Sequence, residues 1–262
     1  MISCISAFSD KNTFINRSNI RKIGLLGGLS WSSTLAYYQT INQLSNIHIG
    51  GLYSPPVVIE SLDFEYFNKL VIEEKDEDLL NYLRQGVQKL EQAGADFYGI
   101  CCNTAHKVAE PLHQLSGIPF LTIGEVLKQY LTQRCLSPIA LLGTPATMRL
   151  DFLKAPLVTA DISVLTPHPS HWEEIGKIIA QELGRGCVLD SSKSFFRDLI
   201  HDLEQAGAQA IVLACTELPL LIHPDFFGVP IIDTARIHAT ALFERATGLA
   251  LLNQISEKKE RD

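Results

Sequence analysis

The sequence predicts an α/β fold with two similar domains, each built on a parallel sheet, related by a pseudo-twofold axis. A ligand site is expected in the cleft between them. Three observations carry this prediction. The chain contains an internal repeat, its short apolar runs alternate with stretches of helical periodicity, and small or polar residues stand where the apolar runs end.

The repeat is anchored by one hexapeptide that occurs twice, LEQAGA at 90–95 and at 203–208. Other matched pairs follow the same order at nearly the same spacing: DFYGICCNT (96–104) with QAIVLACTE (209–217), IGLLGG (23–28) with IALLGT (139–144), and IPFLTI (118–123) with VPIIDT (229–234). A chance hexapeptide match would not bring the other pairs with it. The alignment places Cys102 opposite Cys215.

Each half reads as strand, loop, helix, strand, loop, helix and strand. The apolar runs at 22–26 and 138–142 are typical of buried parallel strands. Leucines and other apolar residues recur at helical spacing over 79–90 and 196–203, and each of these helices is followed by a glycine suited to a helix C-terminus. We expect a first domain of residues 20–122 plus 233–262, a second of 123–232, and an extension outside the core at 1–19.

Composition excludes several classes of protein. The 262 residues are 46% hydrophobic with a formal net charge of −7, which argues against nucleic acid as a partner. No apolar run approaches the roughly 18 residues of a membrane span. The N-terminal stretch lacks the features of a cleaved signal peptide. Six cysteines without a CxxC pair predict neither a zinc site nor a disulfide framework, so we expect a cytoplasmic protein with reduced thiols.

The ends of the predicted strands locate the site. Gly27–Gly28, Cys102, Gly143–Thr144 and Cys215 all follow buried strands, and ligands of parallel α/β folds bind beyond the carboxyl ends of strands. Two related halves facing each other would bring these loops to one cleft. The two cysteines could then approach one small molecule from opposite sides.

Two opposed thiols suit racemisation, which removes a proton from one face of a carbon and returns one to the other. A thiol with a pKa of about 8.5 can serve as acid and base once that value is lowered. Each cysteine precedes a possible helix start, and Asn103, Thr104 and Thr216 add hydrogen-bond donors, so we expect lowered thiol pKa values. A lone cysteine ending a buried strand is usually a core residue, and Cys101, which has no cysteine opposite it, is interpreted that way.

The sequence resembles the aspartate/glutamate racemase family over most of residues 20–245. The segments that carry the resemblance are IGLLGGLSWSSTLAYYQTIN (23–42), CNTAHKVAEPL (102–112), LLGTPATMRLDFLK (141–154), ACTELPLLI (214–222) and DTARIHA (233–239). The resemblance implies two α/β domains, usually a homodimer, and a two-base mechanism without PLP, metal or any other cofactor. It also implies an amino-acid substrate, with aspartate favoured over glutamate.

The resemblance assigns roles residue by residue. Cys102 and Cys215 match the two catalytic thiols. The residues that match substrate-binding positions are Gly28, Leu29 and Ser30 in the first loop, then Asn103, Thr104, Thr144 and Thr216 around the α-carboxylate or ammonium, with Glu217 as an acid beside the second thiol.

The sequence departs from the family where relatives bind the distal carboxylate of aspartate. We align Pro56 and Pro145 with positions that carry polar or basic side chains in relatives, and Arg185 could supply a guanidinium instead. These departures keep two alternatives open, a racemase of a neutral or cyclic substrate such as a hydantoin, and a non-catalytic ligand-binding homologue. His106, next to the first motif, could tune Cys102 or could be a packed helix residue.

Overall fold

The structure is a computed structural model that describes residues 17–255. Most of the predicted extension at 1–19 therefore lies outside the described residues, as does the chain from 256 to 262. Of the extension, only Arg17–Asn19 is described, as a single 3-10 turn. Among residues 17–255, no helix is both long enough and apolar enough to span a membrane.

The first sheet has three parallel strands in the order β2-β1-β3. The strands are β1 (Ile23–Gly27), β2 (Val57–Ser61) and β3 (Phe97–Ile100). The helices of this half are α1 (Trp31–His48), α2 (Phe64–Ile72), α3 (Asp76–Gln92) and α4 (Ala109–Leu115). Every residue of β1 and β3 is buried, which explains why the sequence there is continuously apolar rather than alternating.

The second sheet has four parallel strands in the order β5-β4-β6-β7. The strands are β4 (Ile139–Gly143), β5 (Val164–Leu165), β6 (Ile211–Ala214) and β7 (Ile231–Asp233). The helices are α5 (Ile123–Gln133), α6 (Pro145–Arg149), α7 (Lys154–Val158), α8 (Trp172–Lys177), α9 (Asp190–Gln205) and α10 (Thr234–Thr247).

The two sheets repeat one topology. β1, β2 and β3 occupy the places that β4, β5 and β6 occupy in the second sheet. Even β7 has a counterpart, because Phe120 forms a parallel bridge with Tyr98 as Ile231 pairs with Ile211. The glycines after α3 and α9 both have positive φ, +77° at Gly94 and +95° at Gly207. The predicted fold class is confirmed.

The last helix, α10, is shared between the two halves. Ala239 and Phe243 pack in the core beside β1 and α1, whereas Ile237 and Ala241 pack in the core beside α5 and β4. The helix therefore fixes one half against the other. The exact domain limits stay a prediction.

Candidate active site

The loops after the central strands of both sheets meet in one cleft. Cys102 follows β3 and is half-buried, while Cys215 follows β6 directly and is 8% exposed. Both are free thiols. A negative charge on the sulfur of Cys102 raises the pKa of Cys215, so the two sulfurs lie within electrostatic reach of each other.

The carboxylate of Glu217 bridges the cleft. Its Oε1 accepts hydrogen bonds from the hydroxyls of Ser30 (3.2 Å) and Ser32 (3.4 Å), which belong to the first half. Its Oε2 accepts from the Thr216 hydroxyl (2.9 Å) and the Cys215 thiol (3.1 Å), which belong to the second. Four donors from both halves therefore converge on one carboxylate beside a thiol.

The pKa values of both thiols are raised, contrary to the expectation from sequence. Burial raises the pKa of Cys102 to about 11, although the N–H groups of Ala105 and Thr104 pull it down; the Glu217 charge raises it further. Burial also raises the pKa of Cys215 well above its ordinary value, and again the Glu217 charge adds to the increase. The helix-start amides predicted near Cys102 are present. They are outweighed because desolvation and a neighbouring anion both disfavour the thiolate.

The loop after β1 reaches the cleft through Ser30. Gly28 has φ +84°, and a Cβ there would clash with the carbonyl oxygen of Leu62, so only glycine fits. The Gly28 amide donates to the Thr34 hydroxyl at 2.8 Å and is already satisfied. Leu29 is buried in the core of the first half. Of the three predicted loop residues, Ser30 is therefore the one with a polar side chain in the cleft.

Asn103 joins the two halves behind the thiols. Its Nδ2 donates to the Thr234 hydroxyl at 3.1 Å, and that hydroxyl lies 2.9 Å from the carbonyl oxygen of Leu213 in β6, to which it donates. Asn103 is buried, so in this structure its amide supports the cleft from within. The side chains of Thr104, Thr144 and Thr216 are half-buried. Thr144 also caps α6.

Pro56 lies at the edge of the first sheet opposite the end that leads into Cys102, whereas Pro145 follows Thr144 at the carboxyl end of β4. The carbonyl of Pro56 accepts a hydrogen bond from the Ile23 amide at 2.9 Å, at the amino edge of the sheet, opposite the site. The alignment of Pro56 with a substrate contact is therefore wrong; β2 reaches the site edge at Ser61. Arg185 is exposed in a 3-10 turn, and among residues 17–255 no hydrogen bond or ion pair joins its guanidinium to the cleft.

Ser32 and Thr234 contribute polar contacts that the sequence reasoning missed. Ser32 lies in the segment 23–42 and Thr234 in the segment 233–239, both of which carry the family resemblance, yet neither residue has a sequence signal of its own. Within the described part of the chain, no cluster of three or more His, Cys, Asp or Glu side chains could hold a metal ion.

The structure therefore consists of two parallel α/β halves of one topology. Each half has a thiol at the end of its third strand, and a cleft lies between the halves. The chain belongs to the Asp/Glu/hydantoin racemase family, whose sequence pattern matches residues 26–242. The resemblance seen in the sequence is thereby confirmed.

Individual relatives agree with this assignment. The broad specificity amino-acid racemase RacX of Bacillus subtilis (strain 168) is 24% identical over 220 residues, covering 81% of this chain and 92% of the relative. A candidate Asp/Glu racemase from Yersinia pestis has a TM-score of 0.82 at 35% identity, covering 87% of this chain and 99% of that one. An aspartate racemase homologue from Pyrococcus horikoshii OT3 has a TM-score of 0.77 at 30% identity, with the same coverage. The protein is an isomerase, and its family supports amino-acid racemisation.

Proposed function

We propose that this protein racemises a free α-amino acid, aspartate before glutamate, by a two-base mechanism that uses Cys102 and Cys215 and no cofactor. The observation that carries the proposal is the pair of thiols at equivalent strand ends with Glu217 beside them. One sulfur, as thiolate, removes the α-proton. The other, as thiol, donates its proton to the opposite face of the carbanion, so the substrate leaves inverted and the two sulfurs have exchanged protonation states.

The negative charge of Glu217 favours a substrate that carries an α-ammonium group. In the free site its charge raises the pKa of both thiols, which holds them protonated. An ammonium group placed beside this carboxylate would offset that charge and lower both pKa values. A hydantoin carries no such cation. This favours a free amino acid over a neutral or cyclic substrate. The alignment of Pro56 with a substrate contact, which had suggested a neutral or cyclic substrate, is wrong.

The partly exposed donors around the thiols suit the α-carboxylate. Thr104 and Thr144 present hydroxyls at loops of both halves, whereas the hydroxyls of Ser30 and Thr216 already donate to Glu217. Aspartate is favoured because the Pyrococcus horikoshii relative is an aspartate racemase homologue. The broad specificity of RacX makes other amino acids the first competitors.

The test is a panel of single enantiomers incubated with the PLP-free protein in deuterium oxide. Chiral chromatography measures inversion, and mass spectrometry measures α-deuterium. We expect aspartate to invert fastest and to gain deuterium as it inverts. The Cys101→Ala variant is the matched control, because Cys101 is a fully buried thiol adjacent to Cys102, and it should keep the activity. Tight binding without inversion of any substrate would support the non-catalytic homologue instead.

We further propose a homodimer in a reducing compartment, the cytoplasm. One face of α1 exposes large apolar side chains, including Trp31 (74% exposed), Leu35 (53%) and Tyr38 (43%). Trp31 stands between the two serines that contact Glu217, so a partner on this face would adjoin the cleft. Light scattering coupled to gel filtration tests the dimer, with Trp31→Ser as the variant expected to weaken it.

A further inference from the structure

Two buried histidines lie behind the first thiol. His106 is 3% exposed and His238 is 0% exposed, and their ring centroids are 6.2 Å apart. His106 belongs to the turn after Cys102, whereas His238 belongs to α10. Neither ring takes part in the proposed two-thiol reaction.

Backbone partners determine which nitrogen of each ring carries the proton. In His106, Nδ1 lies 2.9 Å from the Cys102 carbonyl oxygen and must donate, while Nε2 accepts from the Ile123 amide at 3.1 Å. In His238, Nε2 donates to the Leu121 carbonyl at 2.9 Å, and Nδ1 accepts from the Tyr37 hydroxyl at 2.8 Å. Both rings are thus neutral and fully bonded.

Each of the two rings has a backbone partner in the same short segment of the chain. Leu121 and Ile123 lie where the chain crosses from the first half to the second, at the start of α5. His106 therefore connects the peptide of a reacting residue to the crossover between the halves. His238 binds the same crossover without touching Cys102.

We propose that His106 is a positioning residue that sets the place of the Cys102 sulfur relative to the second half, through its bonds to the Cys102 carbonyl and the Ile123 amide. This inference rests on the proposed racemase function. A second bond holds the preceding peptide, because the Ser33 hydroxyl donates to the carbonyl of Cys101. The two peptides that flank the Cα of Cys102 are thus both held by side chains.

A direct acid/base role for His106 does not fit these contacts. Both ring nitrogens are engaged with backbone groups, and burial lowers the pKa of His106 to about 4, so the ring is neutral at neutral pH and has no imidazolium proton to give. Any effect of His106 on the reaction must therefore arise from the position that it gives Cys102. Proton transfer is sensitive to misplacement on the order of 1 Å, which can cost about a hundredfold in rate.

The test uses a ratio that does not depend on how much of a preparation is folded. Each enantiomer is incubated in deuterium oxide, and exchange of the α-proton without inversion is measured for both. Cys102→Ser identifies the enantiomer whose proton Cys102 removes. The ratio of the two exchange rates then reports on one thiol against the other within a single protein sample.

Two variants separate the two bonds of the ring. His106→Asn can keep a donor near the Cys102 carbonyl, whereas His106→Gln can keep an acceptor near the Ile123 amide. His238→Asn is the matched control, an equally buried histidine on the same crossover. We expect His106→Gln to slow exchange on the Cys102 side by about tenfold or more relative to the Cys215 side. His106→Asn should shift the ratio less, and His238→Asn should leave it unchanged.

An unchanged ratio in His106→Gln, or an equal shift in His238→Asn, would overturn the positioning role while leaving the racemase intact. A larger shift in His106→Asn than in His106→Gln would also overturn it, because the bond to Ile123 alone would then matter. Failure of the proposed function is distinguishable. In that case the unmodified protein exchanges no α-proton of any amino acid.

Discussion

The carboxylate of Glu217 offers the sharpest perturbation of the cleft. Glu217→Gln removes its negative charge but retains a side-chain oxygen able to accept from Ser30 or Thr216. Because that charge raises the pKa of both Cys102 and Cys215, the substitution should lower both. The free thiols should then become reactive at lower pH, even without substrate.

The size of the effect follows from the distance between the groups. Glu217 Oε2 lies 3.1 Å from the Cys215 sulfur, and at an effective dielectric constant of about 20 this separation corresponds to about 5 kcal/mol between full charges. Glu217 is only half-buried, so solvent screening reduces the effect below this value; we expect the titration midpoint of Cys215 to fall. The fall for Cys102 should be smaller, since no hydrogen bond joins it to this carboxylate in the described chain.

The assay is the pH dependence of alkylation by iodoacetamide, with each cysteine followed by peptide mass spectrometry. The control is Ser32→Ala, which removes one neutral donor to the same carboxylate but no charge. We expect Glu217→Gln to increase the alkylation rate of Cys215 at pH 8 by about tenfold to a hundredfold. An unchanged or higher midpoint, or an effect no larger than that of Ser32→Ala, would refute the electrostatic reasoning.

Three further predictions concern stability, each measured by urea unfolding. Burial lowers the pKa of His106 to about 4 and that of His238 to about 3, so the stability that the neutral rings contribute is complete above pH 6.5 and is lost as the pH falls. The free energy of unfolding should drop by about 2 kcal/mol per histidine by pH 5. A flat profile from pH 7 to 5 would contradict this. Gly28→Ala should cost about 3 kcal/mol or more, because its Cβ would meet a backbone carbonyl at positive φ; a cost below about 1 kcal/mol would show that the loop relaxes. Thr234→Val should cost about 1–3 kcal/mol by leaving the buried Asn103 amide without its partner, and a neutral result would mean that this bond does not hold the halves together.

The repeat was sufficient to predict the fold and the pairing of the thiols. Duplicated strands keep their register, so Cys102 and Cys215 had to emerge at equivalent edges of two sheets. Glu217 could be placed beside the second thiol because it is its near neighbour in sequence. Such short-range relations survive folding, and most of the predictions about the site rest on them.

The wrong predictions concern features that depend on packing between distant segments of the chain. Pro56 was assigned to the site because the sequence SPPVVIE does not show where β2 begins; the pairing of Ile23 with Val57 shows that Pro56 precedes the strand. The thiol pKa values were misjudged because local amides can be read from sequence, whereas desolvation depends on the whole cleft. Thr234 and His238 were missed as partners for the same reason, since each contacts groups more than a hundred residues away.

The central claim is that the sulfurs of Cys102 and Cys215 act on opposite faces of one α-carbon. The most direct test compares Cys102→Ser with Cys215→Ser, each incubated with separate enantiomers of aspartate in deuterium oxide. We expect both variants to lose racemisation, and each to retain α-proton exchange with a different enantiomer. If either variant still racemises, or if both retain exchange with the same enantiomer, the two thiols do not work as an opposed pair.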